Sequence, residues 1–259
     1  MGAGRSGILL GNSRLRYGHF EGLLVNDSRA LGYEGCESPG NQKRFDDFLG
    51  EGKAEVVVGS VCDDRLEALR KRFELVTRIS PAEPGRLLEA GRDFEIPIEN
   101  CYEDPREVGS DRLLNAVAAR ARWPGEAVIV ADFGTALSIS VVSARGEFLG
   151  GPIGVGVGTA LQGLASSTPR LPGLEEGPEV PLIARSTGQA LRAGILGQAR
   201  FGALGLIRGI QAELGGDSRV VATGGEAKLV ASGEELFDGI VPELTLEGLA
   251  IAAETGARS

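Results

Sequence analysis

Residues that can ligate or attack are scarce in this chain, which has one histidine, His19, and three widely separated cysteines, Cys36, Cys62 and Cys101. A zinc site wants closely spaced thiols or imidazoles, and a disulfide framework wants paired cysteines. The sequence therefore argues against both and predicts buried or inert thiols. His19 stands in Tyr17-Gly18-His19-Phe20 with no partner acid nearby, and Ser13 lacks a Gly-x-Ser-x-Gly elbow, so no hydrolase triad is legible. Apolar runs of 18 residues are missing, and Met1 to Ser6 lacks the apolar core of a secretion signal. The expectation is a cytoplasmic protein that does not engage membrane. Basic charge is also short, with 27 Lys and Arg against 36 Asp and Glu, a net charge of -9. That balance argues against nucleic acid as a partner. Two nucleotide signatures are absent as well: no Walker loop occurs, and Gly154-x-Gly156-x-Gly158 lacks both the full dinucleotide spacing and a following ribose-binding acid.

What is present is a glycine turn used twice. Leu9-Leu10-Gly11-Asn12-Ser13 follows the apolar run Gly7 to Leu10, and Asp132-Phe133-Gly134-Thr135-Ala136 follows Ala127 to Val130. Each is succeeded by alternating residues suited to the return strand of a hairpin. Glycine at such a turn lets backbone N–H groups approach phosphate, a neighbouring hydroxyl can hydrogen-bond it, and a strand-end carboxylate can hold a cation. Only the second copy carries that carboxylate.

The pattern around the turns also repeats. Strands are predicted at Ser6 to Leu10, Leu15 to Phe20 and Gly22 to Val25, then a helix over Gln42 to Leu49, a buried strand over Glu55 to Val61 and a helix over Asp64 to Phe73. The second half gives strands at Ala127 to Asp132, Ala136 to Val142 and Glu147 to Gly151, with helices around Gly158 to Ala165 and Gly188 to Leu214. A strand over Arg219 to Thr223 then enters the Gly224-Gly225 turn, and a helix over Leu246 to Glu254 closes the chain. Meander, helix, strand and helix, used twice, imply a mixed sheet with flanking helices in each half. The boundary is expected after the helix Asp111 to Arg122, near Pro124-Gly125, giving domains 1–122 and 123–259.

A third block runs from Tyr102 through Pro105, Gly109, Ser110, Asp111 and Arg112 to Asn115. Asp111 and Arg112 fall at the start of a helix, where backbone N–H groups and a guanidinium can hold an anion. Ser110 or Asp111 could equally be a plain N-cap.

Together these blocks resemble type III pantothenate kinases, within the superfamily of acetate and sugar kinases, Hsp70 and actin. The resemblance is carried by Pro105 to Arg112, Asp132 to Ala136, Thr187 to Gly194, Ala222 to Gly225 and Leu246 to Leu249, and it extends from about Gly7 to Glu254. It implies two related ribonuclease H-like domains of the actin-like ATPase fold with a cleft between them, a homodimer, and ATP-dependent phosphorylation of pantothenate, the first step towards coenzyme A. By the same resemblance Asp111 is the catalytic proton acceptor, and Tyr102, Gly109, Ser110, Asp111, Arg112 and Thr187 hold pantothenate. Gly11, Asn12, Ser13, Thr135, Gly224 and Gly225 face ATP, which is used with Mg2+. Asp132 holds a monovalent cation, potassium or ammonium.

One departure bears on the chemistry. The family's first turn reads Asp-x-Gly-Asn-Thr, and Leu9 stands where that acid organises magnesium. Leucine offers no oxygen to a hard cation. Ser13 keeps the hydroxyl of the family's threonine, while Val155, Leu137 and Ser140 replace a proline, a polar and an acidic residue. Two readings follow: a working or weakened pantothenate kinase, or a catalytically inactive homologue that binds pantothenate as a ligand-binding or regulatory protein.

Overall fold

The structure, a computed structural model, describes residues 5–36, 38–50, 55–79, 85–167, 181–231 and 233–256. The chain divides into two compact units, Met1–Arg122 together with Glu243–Ser259, and Trp123–Pro242.

In the first unit, β1 (Arg5–Leu10), β2 (Arg14–Glu21) and β3 (Leu24–Gly32) form an antiparallel meander. Strands β4 (Glu55–Ser60) and β5 (Arg86–Glu89) extend it in parallel, giving the order β3-β2-β1-β4-β5. The alternation in β1 decides its two faces. Ile8 and Leu10 join Val56, Val58, Leu66, Leu69 and Phe73 on one side, while Leu9 lies with Phe20, Val57 and Leu114 on the other. Helices α1 (Tyr33–Cys36), α2 (Pro39–Gly50) and α3 (Asp63–Ile79) follow the meander and β4. A two-residue strand, β6 (Glu99–Asn100), and a 3-10 turn at Pro105–Glu107 lead into α4 (Ser110–Arg122).

The third strand starts at Leu24 and runs to Gly32, beyond the Gly22 to Val25 span predicted from sequence. The polar residues Asn26, Asp27 and Ser28 hide its continuation, because β3 is an edge strand. Its residues from Leu24 to Gly32 are largely exposed, and the backbone ladder to β2 holds it in place of burial.

The second unit repeats the design. Strands β7 (Val128–Phe133), β8 (Ala136–Val142) and β9 (Glu147–Gly150) form its meander, and β10 (Ile153–Val155) pairs with β8. After α5 (Val157–Ser167) and the 28-residue α6 (Thr187–Leu214), strand β11 (Arg219–Thr223) lies parallel to β7. Helix α7 (Ala227–Ala231) and strand β12 (Gly239–Ile240) complete the order β12-β11-β7-β8-β9. Its core gathers Ile129, Phe133, Ile139, Ile195, Ile207 and Val220.

The closing helix α8 (Leu244–Thr255) belongs to the first unit, so the division is not the simple 1–122 and 123–259 split that the repeat suggested. Leu244, Leu246 and Leu249 are fully buried, each contributing about 1.5–3 kcal/mol by leaving water. Small residues allow that packing. A β-carbon at Gly248 would run into the backbone of Leu114, so α4 and α8 approach backbone to backbone. The ends are tied by Thr245 Oγ1 donating to Asn115 Oδ1 at 2.8 Å and by a paired Arg122–Glu247 contact at 2.6 and 2.7 Å.

His19 is structural, as expected: its Nδ1 lies 3.0 Å from Ser6 Oγ and its ring packs on Phe48. Cys62 is half-buried and Cys101 is exposed; both are free thiols, and of the two alternatives expected, buried or inert, burial does not hold at Cys101. The side chain of Cys36 lies outside the described residues. No helix among the described residues is long and apolar enough to cross a membrane.

Candidate active site

Within the first unit, the carboxyl ends of β1 and β4 carry two loops side by side. Leu10 pairs with Ser60 in the parallel ladder, and the Val61 N–H donates to the Leu10 carbonyl at 3.1 Å. From β1 the chain enters Gly11-Asn12-Ser13, closed by the Gly11 N–H donating to the Arg14 carbonyl at 3.0 Å. Tyr33 secures the turn from below: its hydroxyl donates to the Gly11 carbonyl at 2.8 Å, and its N–H to the Ser13 carbonyl at 3.4 Å.

From β4 the neighbouring loop is held by the start of α4. Ser110 Oγ donates to the Ser60 carbonyl at 2.8 Å. The hydroxyl is therefore spent on β4 and does not cap the helix. The Gly109 carbonyl instead accepts from the Arg112 N–H at 3.1 Å. Asp111 is no ordinary cap either, since its Oδ1 accepts from the adjacent Arg112 N–H at 2.8 Å. That oxygen lies against Gly109, where a β-carbon would stand only 2.7 Å away. Burial raises the Asp111 carboxyl above its usual range, opposed by the Arg112 N–H bond and the Arg112 charge.

Arg112 is itself buried, 4% exposed, with its guanidinium carbon 5.8 Å from the Tyr102 ring centre. Thus Tyr102, Gly109, Ser110, Asp111 and Arg112, singled out separately in the sequence, form one cluster. A fixed guanidinium and a desolvated carboxylate one residue apart suit a small hydroxylated acid: one group pairs with its carboxylate, the other with its hydroxyl.

Leu9 does not face this chemistry as an acid would. Its side chain packs with Phe20, Val57 and Leu114, beside Gly59. The first turn offers no oxygen ligand at that position, so a divalent cation does not fit there.

The second unit builds its own site at the carboxyl ends of β7 and β11, where Asp132 pairs with Thr223. Gly224 has φ +94°, and a β-carbon on it would lie 2.5 Å from both Asp132 Oδ1 and the Phe133 carbonyl oxygen. Only glycine lets the Gly224-Gly225 turn lie so close to the Asp132 carboxylate. The arrangement fits a cation at Asp132, an oxygen donor at a strand end among converging turns.

Sequence reading missed a third strip. Thr159 Oγ1 donates to the Thr135 carbonyl at 2.6 Å, and the Gly156 N–H donates to the same oxygen at 3.2 Å. Glu226 Oε1 accepts from the Gly158 N–H at 3.2 Å. The signal was present in Gly154-x-Gly156-x-Gly158, of which Gly156 marks a close approach to the Gly134-Thr135 turn and not a dinucleotide fingerprint. Thr187 opens α6 and is exposed; among the described residues no hydrogen bond ties it to these turns.

Comparison with known proteins decides the lineage. Residues 8–213 match the family described as type III pantothenate kinase. The chain belongs to the type III pantothenate kinase family. It is 41% identical over 199 residues to the type III pantothenate kinase of Parafrankia sp., covering 75% of this chain and 76% of that one. It is 39% identical over 207 residues to that of Frankia alni, covering 80% and 81%. The counterpart from Dehalococcoides mccartyi strain CBDB1 is 38% identical over 198 residues, covering 75% and 71%.

Among solved structures, a conserved Baf family transcriptional activator from Campylobacter jejuni superposes with a TM-score of 0.59 at 19% identity, covering 96% of this chain and 98% of that one. Component A of the (R)-2-hydroxyglutaryl-CoA dehydratase of Acidaminococcus fermentans gives 0.53 at 14% identity, covering 98% of each. At such identities the likeness speaks for the fold alone, which is the two-domain actin-like ATPase fold. The Gly224-Gly225 turn and α8 lie beyond the residues that the family match spans.

Proposed function

We propose that this family member is an ATP-dependent pantothenate kinase, producing 4'-phosphopantothenate and ADP. The observation that carries the reading is the cluster on α4, a desolvated Asp111 beside a buried Arg112 stacked towards Tyr102. Arg112 and Tyr102 hold the substrate, with the guanidinium on its carboxylate. The substrate hydroxyl oxygen bonds to the γ-phosphorus as the bridge to the β-phosphate breaks, ADP leaves, and Asp111 takes the hydroxyl proton. Phosphoryl transfer is governed by positioning and charge neutralisation, so a carboxylate that orients the hydroxyl and accepts its proton late is sufficient.

By the family resemblance, the Gly11-Asn12-Ser13 turn, and in the second unit the Gly224-Gly225 turn with Thr135, each offer backbone N–H groups or a hydroxyl suited to ATP phosphate. Asp132 would hold potassium or ammonium, which adds positive charge beside those phosphates. Mg2+ accompanies ATP, and no step is assigned to a metal at the first turn, where Leu9 stands. The family resemblance assigns Thr187, at the start of α6, to pantothenate binding. The exposed apolar residues Phe201 and Leu206 on that helix favour a homodimer, which the mass in solution tests. We place the enzyme in the cytoplasm, with no nucleic-acid or membrane partner.

The deciding experiment supplies purified protein with ATP, Mg2+, K+ and pantothenate and follows ADP. Turnover above background supports the kinase; background turnover with calorimetric binding of pantothenate would leave only a ligand-binding protein. The relatives cited lend that alternative no support.

A further inference from the structure

A cavity of about 270 Å³ opens on the α2/α3 side of the first unit, away from the Asp111 cluster's face of the sheet. Its walls are Leu15, Leu31, Phe45 and Leu69. The volume falls just below the range of about 300–1,000 Å³ typical of ligand pockets, and equals roughly nine waters at about 30 Å³ each. A molecule of about ten heavy atoms fits; a nucleotide does not.

The charges at the cavity select the ligand further. Asp46 lines it but is neutralised by a two-pronged contact from Arg72, whose Nε lies 2.7 Å from Asp46 Oδ1. Arg65 also lines it and lies over the Tyr33 ring, 4.0 Å from the ring centre. Among the described residues no carboxylate pairs with Arg65. The lining therefore carries one uncompensated positive charge, in a protein of net charge -9. An apolar body with a single anionic head complements it.

Tyr33 gives the cavity a route to the first turn. Its ring lines the cavity under Arg65, while its hydroxyl holds the Gly11 carbonyl and its N–H holds the Ser13 carbonyl. A ligand packed against that ring braces the residue that sets the turn.

We propose that this cavity is a regulatory site for a small monocarboxylate with an apolar body, read out through Tyr33 at the Gly11-Asn12-Ser13 turn. The binding half stands on the cavity alone; the regulatory half rests on the reading of that turn as facing ATP.

Octanoate is the probe, with octanamide as its neutral match. Calorimetry on the full chain should show octanoate binding at least tenfold more tightly than octanamide. Arg65→Gln should abolish that preference, and Ala68→Phe, which fills the cavity from α3, should abolish binding of both. Saturating octanoate should change the KM for ATP at least threefold in the wild type and not in Ala68→Phe. No binding, or equal binding of the two probes, overturns the site. Binding without any change in KM in a protein that turns over overturns the regulatory half. Binding needs no turnover, so a failed kinase assay and a failed site are told apart.

Discussion

Leu9 occupies the space beside Gly59 that a side chain there would need: a β-carbon at Gly59 would lie 3.0 Å from Leu9 Cδ2 and 2.9 Å from Leu114 Cδ1. The position where the family resemblance leads one to expect an acid is here part of an apolar contact between β1, β4 and α4. Leu9→Asp would place a carboxylate in that contact, and should lower stability by about 1–3 kcal/mol in urea melts. At a temperature where the variant stays folded, turnover should rise. An unchanged melting curve would show that Leu9 stands in water, and unchanged turnover that the first turn does not limit the rate.

Asp111 should show opposite effects on activity and stability. Its native carboxyl is raised above the unfolded value, so the native state binds more protons between the two values, and stability falls as pH rises through that window. At pH 7 the ionised group is a cost. Asp111→Asn should therefore raise Tm at pH 7 while lowering kcat by about 10²–10⁴, the usual worth of a general base. In the wild type, the acidic limb of kcat/KM for pantothenate should break above the value of about 3.9 of an ordinary aspartate. A lower Tm in the variant would contradict the desolvation argument.

Arg112→Lys keeps the charge and loses the planar fork. Because the guanidinium is buried and directed over Tyr102, the KM for pantothenate should rise about tenfold or more, with the KM for ATP little changed. Steady-state kinetics in both substrates check this. Equal increases in both would point to a general loss of packing.

Gly224→Ala would add a β-carbon to a residue at φ +94°, 2.5 Å from Asp132 Oδ1. The strain should cost about 1–3 kcal/mol, and moving the Asp132 carboxylate should weaken stimulation by potassium. Thermal melts and a potassium titration of turnover measure the two effects. Normal potassium dependence in Gly224→Ala would separate that turn from the cation.

Much of this was legible from local pattern. Alternating and β-branched runs located the two meanders, apolar spacing located α3 and α4, and the Tyr102 to Arg112 block carried its residues close together in the chain. Their neighbourhood in space follows from that closeness. The spans that misled were those held by partners: β3 is polar because it sits at an edge, and Gly156 approaches Thr135 only once β8 has paired with β10.

The sequence by itself determined the repeated strand and helix order, the two glycine turns, the family and the residues of the α4 cluster, because each depends on neighbours within a few turns of chain. Tertiary structure alone decided that α8 returns to the first unit, that Ser110 binds β4 instead of capping its helix, that Leu9 packs half-buried against the core, and that Tyr33 braces the Gly11 turn. Apolar burial is non-directional, and a hydroxyl takes whichever acceptor folding brings near. A leucine or a tyrosine in the sequence therefore states its appetite for a partner, and only the packed chain says which partner it meets.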